Sequence, residues 1–116
     1  MIRRGEIWIA NFNPTRGNQI GRIRPALVIQ DDALLNSLCP TLAVLPLSSL
    51  VDFSAAEELS LFVRLEARDR LLKPSVILVQ QPRTVDRTRI GQGPLTRLSD
   101  AEMARVDRVL GLVLGL

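Results

Sequence analysis

Residues 6–12, EIWIANF, and residues 24–30, RPALVIQ, decide how this chain folds. Both are short apolar runs, rich in Ile, Val and aromatic side chains and bounded by turn residues, so each reads as a strand. Pro25 falls near the start of the second run, where a missing N–H is tolerated. Between the two lies NPTRGNQIGRI, residues 13–23, with Asn-Pro and two glycines. That stretch is too polar for a core and reads as a loop joining the strands.

Working outward, residues 31–40 form a connection with room for a turn of helix, and TLAVLPLS, residues 41–48, reads as a third strand. Pro46 marks that strand as an edge or as carrying a bulge. Residues 49–58 form a second loop, and LFVRL, residues 61–65, a short fourth strand. SVILVQQ, residues 75–81, is the cleanest strand of all, and DRTRI, residues 86–90, makes a short turn before Gly91. Ser99 followed by Glu102 is a capping box, serine at the cap and glutamate three residues on. Met103, Val106, Leu110 and Val113 then recur at helical spacing and predict a helix packed on the sheet. Asp100 and Glu102 complement the positive helix start. Five short strands and one terminal helix predict a mainly β fold with α: a small, partly open β-barrel of one domain, residues 1–116.

Composition narrows the chemistry. Hydrophobic residues make up 47% of the chain, enough for a core, and 23% charged residues argue against disorder. No run approaches the roughly 20 apolar residues of a membrane helix, and no apolar stretch follows the basic N-terminus, so a cytoplasmic protein without a membrane partner is expected. Cys39 is the only cysteine and histidine is absent. This excludes an intrachain disulfide, Cys/His and Ser/His nucleophilic pairs, His-ligated zinc and a histidine acid–base pair. Hydrolase chemistry here must run on Arg, Ser/Thr, Asp/Glu, Gln and backbone groups, with no metal and no cofactor expected. The formal net charge is +3, and Lys73 is the sole lysine among 15 basic residues. Arginine offers a planar fork of donors that suits phosphate and stacks on bases.

The ordered set of segments resembles the MazF/PemK toxin family. RGEIWIANFNPTRG (4–17) followed by RPALVIQ (24–30) is similar to that family's opening: a Gly-acid start, an apolar strand, a Pro- and Gly-containing loop, then Arg-Pro and a Val/Ile-rich strand. Cys39-Pro40-Thr41, the run SVILVQQPRTVD (75–86) and the helix ending near Leu-Gly-Leu match in the same order. The resemblance implies an SH3-like barrel with a C-terminal helix, a homodimer, and single-stranded RNA bound in a groove along the dimer interface. It implies sequence-specific cleavage without metal, by attack of the ribose 2′-OH on the adjacent phosphate, leaving a 2′,3′-cyclic phosphate and a 5′-OH. It also implies neutralisation by an acidic, MazE-like antitoxin.

Carried onto this chain, the resemblance makes Arg24 the first catalytic candidate, because a fixed guanidinium stabilises negative charge on the phosphoryl oxygens. Ser48 stands where the family usually has threonine, with Ser49 the equivalent if the register slips by one. Serine keeps the hydroxyl and loses the β-branch that fixes a rotamer. A hydroxyl is a poor base, so Ser48 is expected to orient the phosphate or the 2′-OH; Glu6, Asp31 and Asp52 remain open as bases. Asn13, Thr15, Arg16, Asn18, Gln19 and Arg22 of the first loop carry the amide and guanidinium groups that read splayed bases. Gln80, Gln81 and Arg83 fall at the end of the fifth strand, a region near the groove in this family. Trp8 is expected to be core or interface, and Cys39 a small buried hydrophobe. Two rivals are a gyrase-poisoning toxin of the same barrel, as in CcdB, and a non-catalytic SH3-like RNA- or protein-binding module. The first acts through the end of its C-terminal helix, which carries a tryptophan, and GLVLGL, residues 111–116, has no aromatic.

Overall fold

The computed structural model describes residues 1–14, 17, 22–49 and 62–116. Strand β1 (Glu6–Asn11) runs antiparallel to β2 (Ile23–Val28), with Ile7 opposite Leu27 and Asn11 opposite Ile23. A four-residue helix α1 (Asp32–Leu35), capped by the Asp31 carboxylate accepting from Ala33 N at 2.8 Å, leads to β3 (Thr41–Ser49). The remaining elements are β4 (Phe62–Leu65), β5 (Ser75–Leu78), β6 (Arg83–Asp86), a 3-10 turn (Arg87–Arg89), β7 (Thr96–Arg97) and helix α2 (Asp100–Leu114). The strand order is β4-β5-β3-β2-β1-β7, with β6 also paired to β3. The end strands β4 and β7 do not pair, so the sheet is a curled, partly open barrel.

Both faces of the central strands are covered. Leu27, Leu45, Ile77, Met103, Val106 and Val109 pack between the sheet and α2. Phe12, Val28, Leu42, Val44 and Val85 form a second cluster on the opposite face. This is why β2 and β3 read as continuous apolar runs and not as alternating ones. The Ser99 capping box forms as expected, and Gly115 ends α2 in the left-handed region at φ 74°.

The sheet has seven strands among the described residues, where the sequence predicts about five. The extra two, β6 and β7, are four and two residues long and exist through their partners β3 and β1. The fifth strand stops at Leu78, because Gln81 N turns back onto Leu78 O at 3.0 Å. The buried stripe of α2 is Met103, Val106 and Val109; Leu110 and Val113 only flank it. Pro46 sits in the central strand, not at an edge. Ile29 N donates to Ala43 O, so odd-numbered β3 residues face β2 and the Pro46 nitrogen points the other way. On that side β6 pairs residues 41–44 and β5 pairs 47–49. Pro46 therefore occupies the gap between two partners, where no N–H is needed.

Candidate active site

A cleft of about 430 Å³ opens beside the end of β2 and β3. Arg22, Arg24, Ser48 and Ser49 line it, together with Arg70, Lys73, Ser75 and Gln92 and an apolar floor that includes Leu47 and Leu71. The sheet itself brings Arg24 and Ser48 together. The β2–β3 ladder ends at Ala26 opposite Pro46. Two residues further in the same register, Arg24 stands against Ser48, and the period of two puts both side chains on one face.

Pro25 explains where the guanidinium rests. Gly5 N donates to Val28 O, so even-numbered β2 residues face β1 and Pro25 faces β3, directly across from Leu47. A residue with an N–H at position 25 would donate to the Leu47 carbonyl, and proline cannot. Arg24 Nη1 takes that acceptor at 3.2 Å. The Arg-Pro pair thus frees a strand carbonyl and fills it with a guanidinium, which holds the charge next to Ser48.

Ser48 is 4% exposed, and its Oγ is buried with no hydrogen-bond partner among the described residues. Leaving a buried hydroxyl unpaired costs about 1–3 kcal/mol, so such a group is a candidate to meet a ligand. Ser49 lines the same cleft, half-buried, opposite Ser75 of β5. Four cationic side chains and no carboxylate are found among the described lining residues, which makes the cleft a site for anions.

The structure separates the remaining candidates. Arg22, at φ 68°, lines the Arg24 cleft, whereas Asn13 and Arg83 line a second, polar depression of about 200 Å³ with Asn11, Asp86 and Arg89. The Asn13 side-chain oxygen accepts from Arg22 N at 2.9 Å, and the Arg83 guanidinium lies 5.3 Å from the centroid of the Phe12 ring. Gln80 and Gln81 are half-buried and line neither opening; the Gln80 Oε1 is buried without a partner among the described residues. Thr15, Arg16, Asn18, Gln19 and Asp52 lie outside the described residues. Of the possible bases, Glu6 is 8% exposed and accepts from Arg3 N at 2.8 Å and Trp8 Nε1 at 3.1 Å, and Asp31 caps α1. Neither lines the cleft. Trp8 is half-buried against Gly93, where a Cβ would fall 2.5 Å from its ring. Cys39 is half-buried; the Thr41 backbone and hydroxyl groups beside it lower its thiol pKa.

Sequence reasoning missed Arg70, Lys73, Ser75 and Gln92. The segment of the first three carries one local signal, the charged tight turn Arg68-Asp69-Arg70 ahead of Lys73-Pro74; Gln92 carries none. Arg68 and Leu71 exchange two backbone hydrogen bonds of 2.9 Å across it, and Asp69 takes φ 51°.

Known proteins resemble this chain in sequence and fold. A family profile described as PemK-like, MazF-like toxin of type II toxin–antitoxin system matches residues 3–114. Endoribonuclease MazF of Staphylococcus epidermidis is 37% identical over 117 residues, spanning all of this chain and 93% of its own. The crystal structure of MazF from Deinococcus radiodurans superposes with a TM-score of 0.80 at 28% identity, over 99% of this chain and 97% of that one. A MazE–MazF structure from the same organism matches with a TM-score of 0.73 at 28% identity, over 99% and 96% of the two chains. The chain therefore belongs to the PemK-like, MazF-like family of toxins of type II toxin–antitoxin systems.

Proposed function

We propose that this chain is a sequence-specific endoribonuclease toxin that cuts single-stranded RNA in the cleft between Arg24 and Ser48. The observation that carries the reading is the juxtaposition itself: a guanidinium seated on Leu47 O beside a buried hydroxyl with no partner among the described residues, in a cleft whose described charges are all positive. Family membership and the endoribonuclease MazF relative support the same activity.

The reaction this geometry serves is an in-line displacement at phosphorus. The ribose 2′-oxygen forms a bond to the phosphorus, and the bond from phosphorus to the 5′-oxygen breaks. The 2′-hydroxyl gives up its proton and the leaving 5′-oxygen gains one. The products are a 2′,3′-cyclic phosphate and a 5′-OH. Arg24 stabilises the charge on the non-bridging oxygens, and the Ser48 hydroxyl donates to the phosphate and holds it in line. Ser49, one residue on, lines the entrance to the same cleft. Arg22 contacts the RNA strand within the cleft, and Asn13 and Arg83 contact it at the second depression. Thr15, Arg16, Asn18 and Gln19 of the first loop, with Gln80 and Gln81, supply further RNA contacts.

The partners follow from charge and from exposed apolar surface. An acidic antitoxin segment fits a cleft without described carboxylates as RNA does, in keeping with the MazE–MazF pairing in Deinococcus radiodurans. Two copies pair, covering side chains such as Ile23 and Leu72, which are 64% and 83% exposed at the rim of the cleft. No described helix is long and apolar enough to cross a membrane, and the site of action is the cytoplasm, where messenger RNA is found. The test is incubation of the purified chain with a long unstructured RNA in EDTA, followed by mapping of new ends. Cuts at a short recurring sequence with 5′-OH ends support the function; intact RNA at micromolar protein rejects it in favour of a binding module.

A further inference from the structure

We propose that Arg70 and Lys73 form a second backbone-binding wall of the cleft, gripping phosphates that flank the scissile one, and that Arg68 holds this wall in place as a positioning residue. The inference rests on the ribonuclease reading and adds residues that nothing in the family resemblance assigns here.

Three observations carry it. First, Arg70 and Lys73 line the same cleft as Arg24 and Ser48, and both are exposed there without a side-chain partner among the described residues. Two uncompensated cations in a cleft with no described carboxylate attract a polyanion. Second, the neighbouring cation is used differently. Arg68 gives Glu102 a bidentate pair of 2.6 and 2.9 Å, donates to Arg97 O at 2.9 Å, and reaches Thr96 Oγ1 at 3.3 Å. Thr96 Oγ1 in turn donates to Asp69 at 2.6 Å, and Arg70 N donates to Leu95 O at 2.9 Å. Third, the turn is held in a costly shape. Asp69 sits in the left-handed region at φ 51°, which costs an aspartate less than most residues yet needs surrounding contacts to persist. At its far end the segment is tied to β5, because Ser75 Oγ donates to Lys73 O at 2.9 Å. The loop is pinned at both ends, and Arg70 and Lys73 are the charged residues it presents to the opening. A wall pinned in this way binds phosphates without first having to order itself.

The test measures kcat and KM on a single-stranded RNA oligonucleotide across a salt series. Binding of the 2′-O-methyl form, which cannot be cut, is measured in parallel. Arg70→Gln with Lys73→Gln should raise KM and weaken binding of the uncuttable RNA about tenfold, with the loss in KM exceeding that in kcat. It should also flatten the salt dependence by roughly 1.4 in log–log slope, about 0.7 for each lost single-strand phosphate contact. Arg68→Met should shift KM and slope in the same direction in the wild-type background and add nothing once Arg70 and Lys73 are already neutral. If Arg68→Met unfolds, Arg68→Lys, which keeps the charge and loses the fork, reads the same non-additivity. Unchanged KM and slope in the Arg70/Lys73 variant of a chain that does cleave RNA overturn the wall. Equal effects of the Arg68 change in both backgrounds overturn its positioning role. A wild-type chain that neither cuts nor binds RNA overturns the ribonuclease reading itself, and the wall with it.

Discussion

Glu102 is where helix α2, the Arg68 turn and the wall of the cleft meet, and its titration makes a sharp prediction. Its carboxylate takes both arms of the Arg68 fork at 2.6 and 2.9 Å and also accepts from Ser99 N at 2.8 Å. The Arg68 guanidinium, with help from the cap, holds the carboxyl at about 2, against an ordinary value of 4.5. Because the folded value is the lower one, this stabilisation is complete above pH 4.5 and is lost as the pH falls toward 2. A displacement of that size corresponds to about 3 kcal/mol at most. The two side chains are 30% and 29% exposed, so solvent screening reduces it to about 2 kcal/mol. Glu102→Gln should therefore unfold about 2 kcal/mol more easily at pH 7, roughly 8 °C in Tm for a chain of this size. Urea unfolding of both proteins at pH 7, 4.5, 3 and 2 reads the difference. The gap should shrink steadily below pH 4.5. A gap equally wide at pH 7 and pH 2, or no gap at pH 7, refutes the ion-pair reasoning.

Three further outcomes follow from the cleft. Ser48→Ala removes a buried hydroxyl that has no described partner, so denaturant melts should show it about 1 kcal/mol more stable while kcat falls at least tenfold; a stability loss shows that the hydroxyl is structural. Pro25→Ala restores an N–H opposite Leu47 O and competes with Arg24 for that acceptor. Its kcat should fall about fivefold without a loss in Tm, and lactic acid at position 25, an ester with no N–H, should keep wild-type kcat; equal loss in both refutes competition. Arg24→Gln should lose about 100- to 1000-fold in kcat while circular dichroism stays native, and a variant that retains full kcat removes Arg24 from the chemistry.

Much of the fold can be read from local rules. The EIWIANF and RPALVIQ strands and the Ser99–Glu102 box each depend on neighbours within a few residues, and all three form. What escapes local reading depends on distant partners. In β6 only Val85 is buried, so RTVD is a strand solely because it lies along β3. Pro46 looks like an edge marker until β5 and β6 are seen to leave a gap beside it. The candidate site divides in the same way. Arg24 and Ser48 stand out through family resemblance, and the β2–β3 register supplies the reason they face each other. Arg70 and Lys73 were hidden because a turn built on a left-handed aspartate is stabilised by Thr96 and Glu102, which are nearly thirty residues or more away.

The most direct measurement uses a short RNA with one cut site, treated in EDTA, and the mass of the upstream fragment. Strand scission through Arg24 and Ser48 predicts a 2′,3′-cyclic phosphate on that fragment and no cut when the scissile nucleotide is 2′-deoxy. A 3′-OH paired with a 5′-phosphate, or cleavage of the 2′-deoxy substrate, contradicts the account.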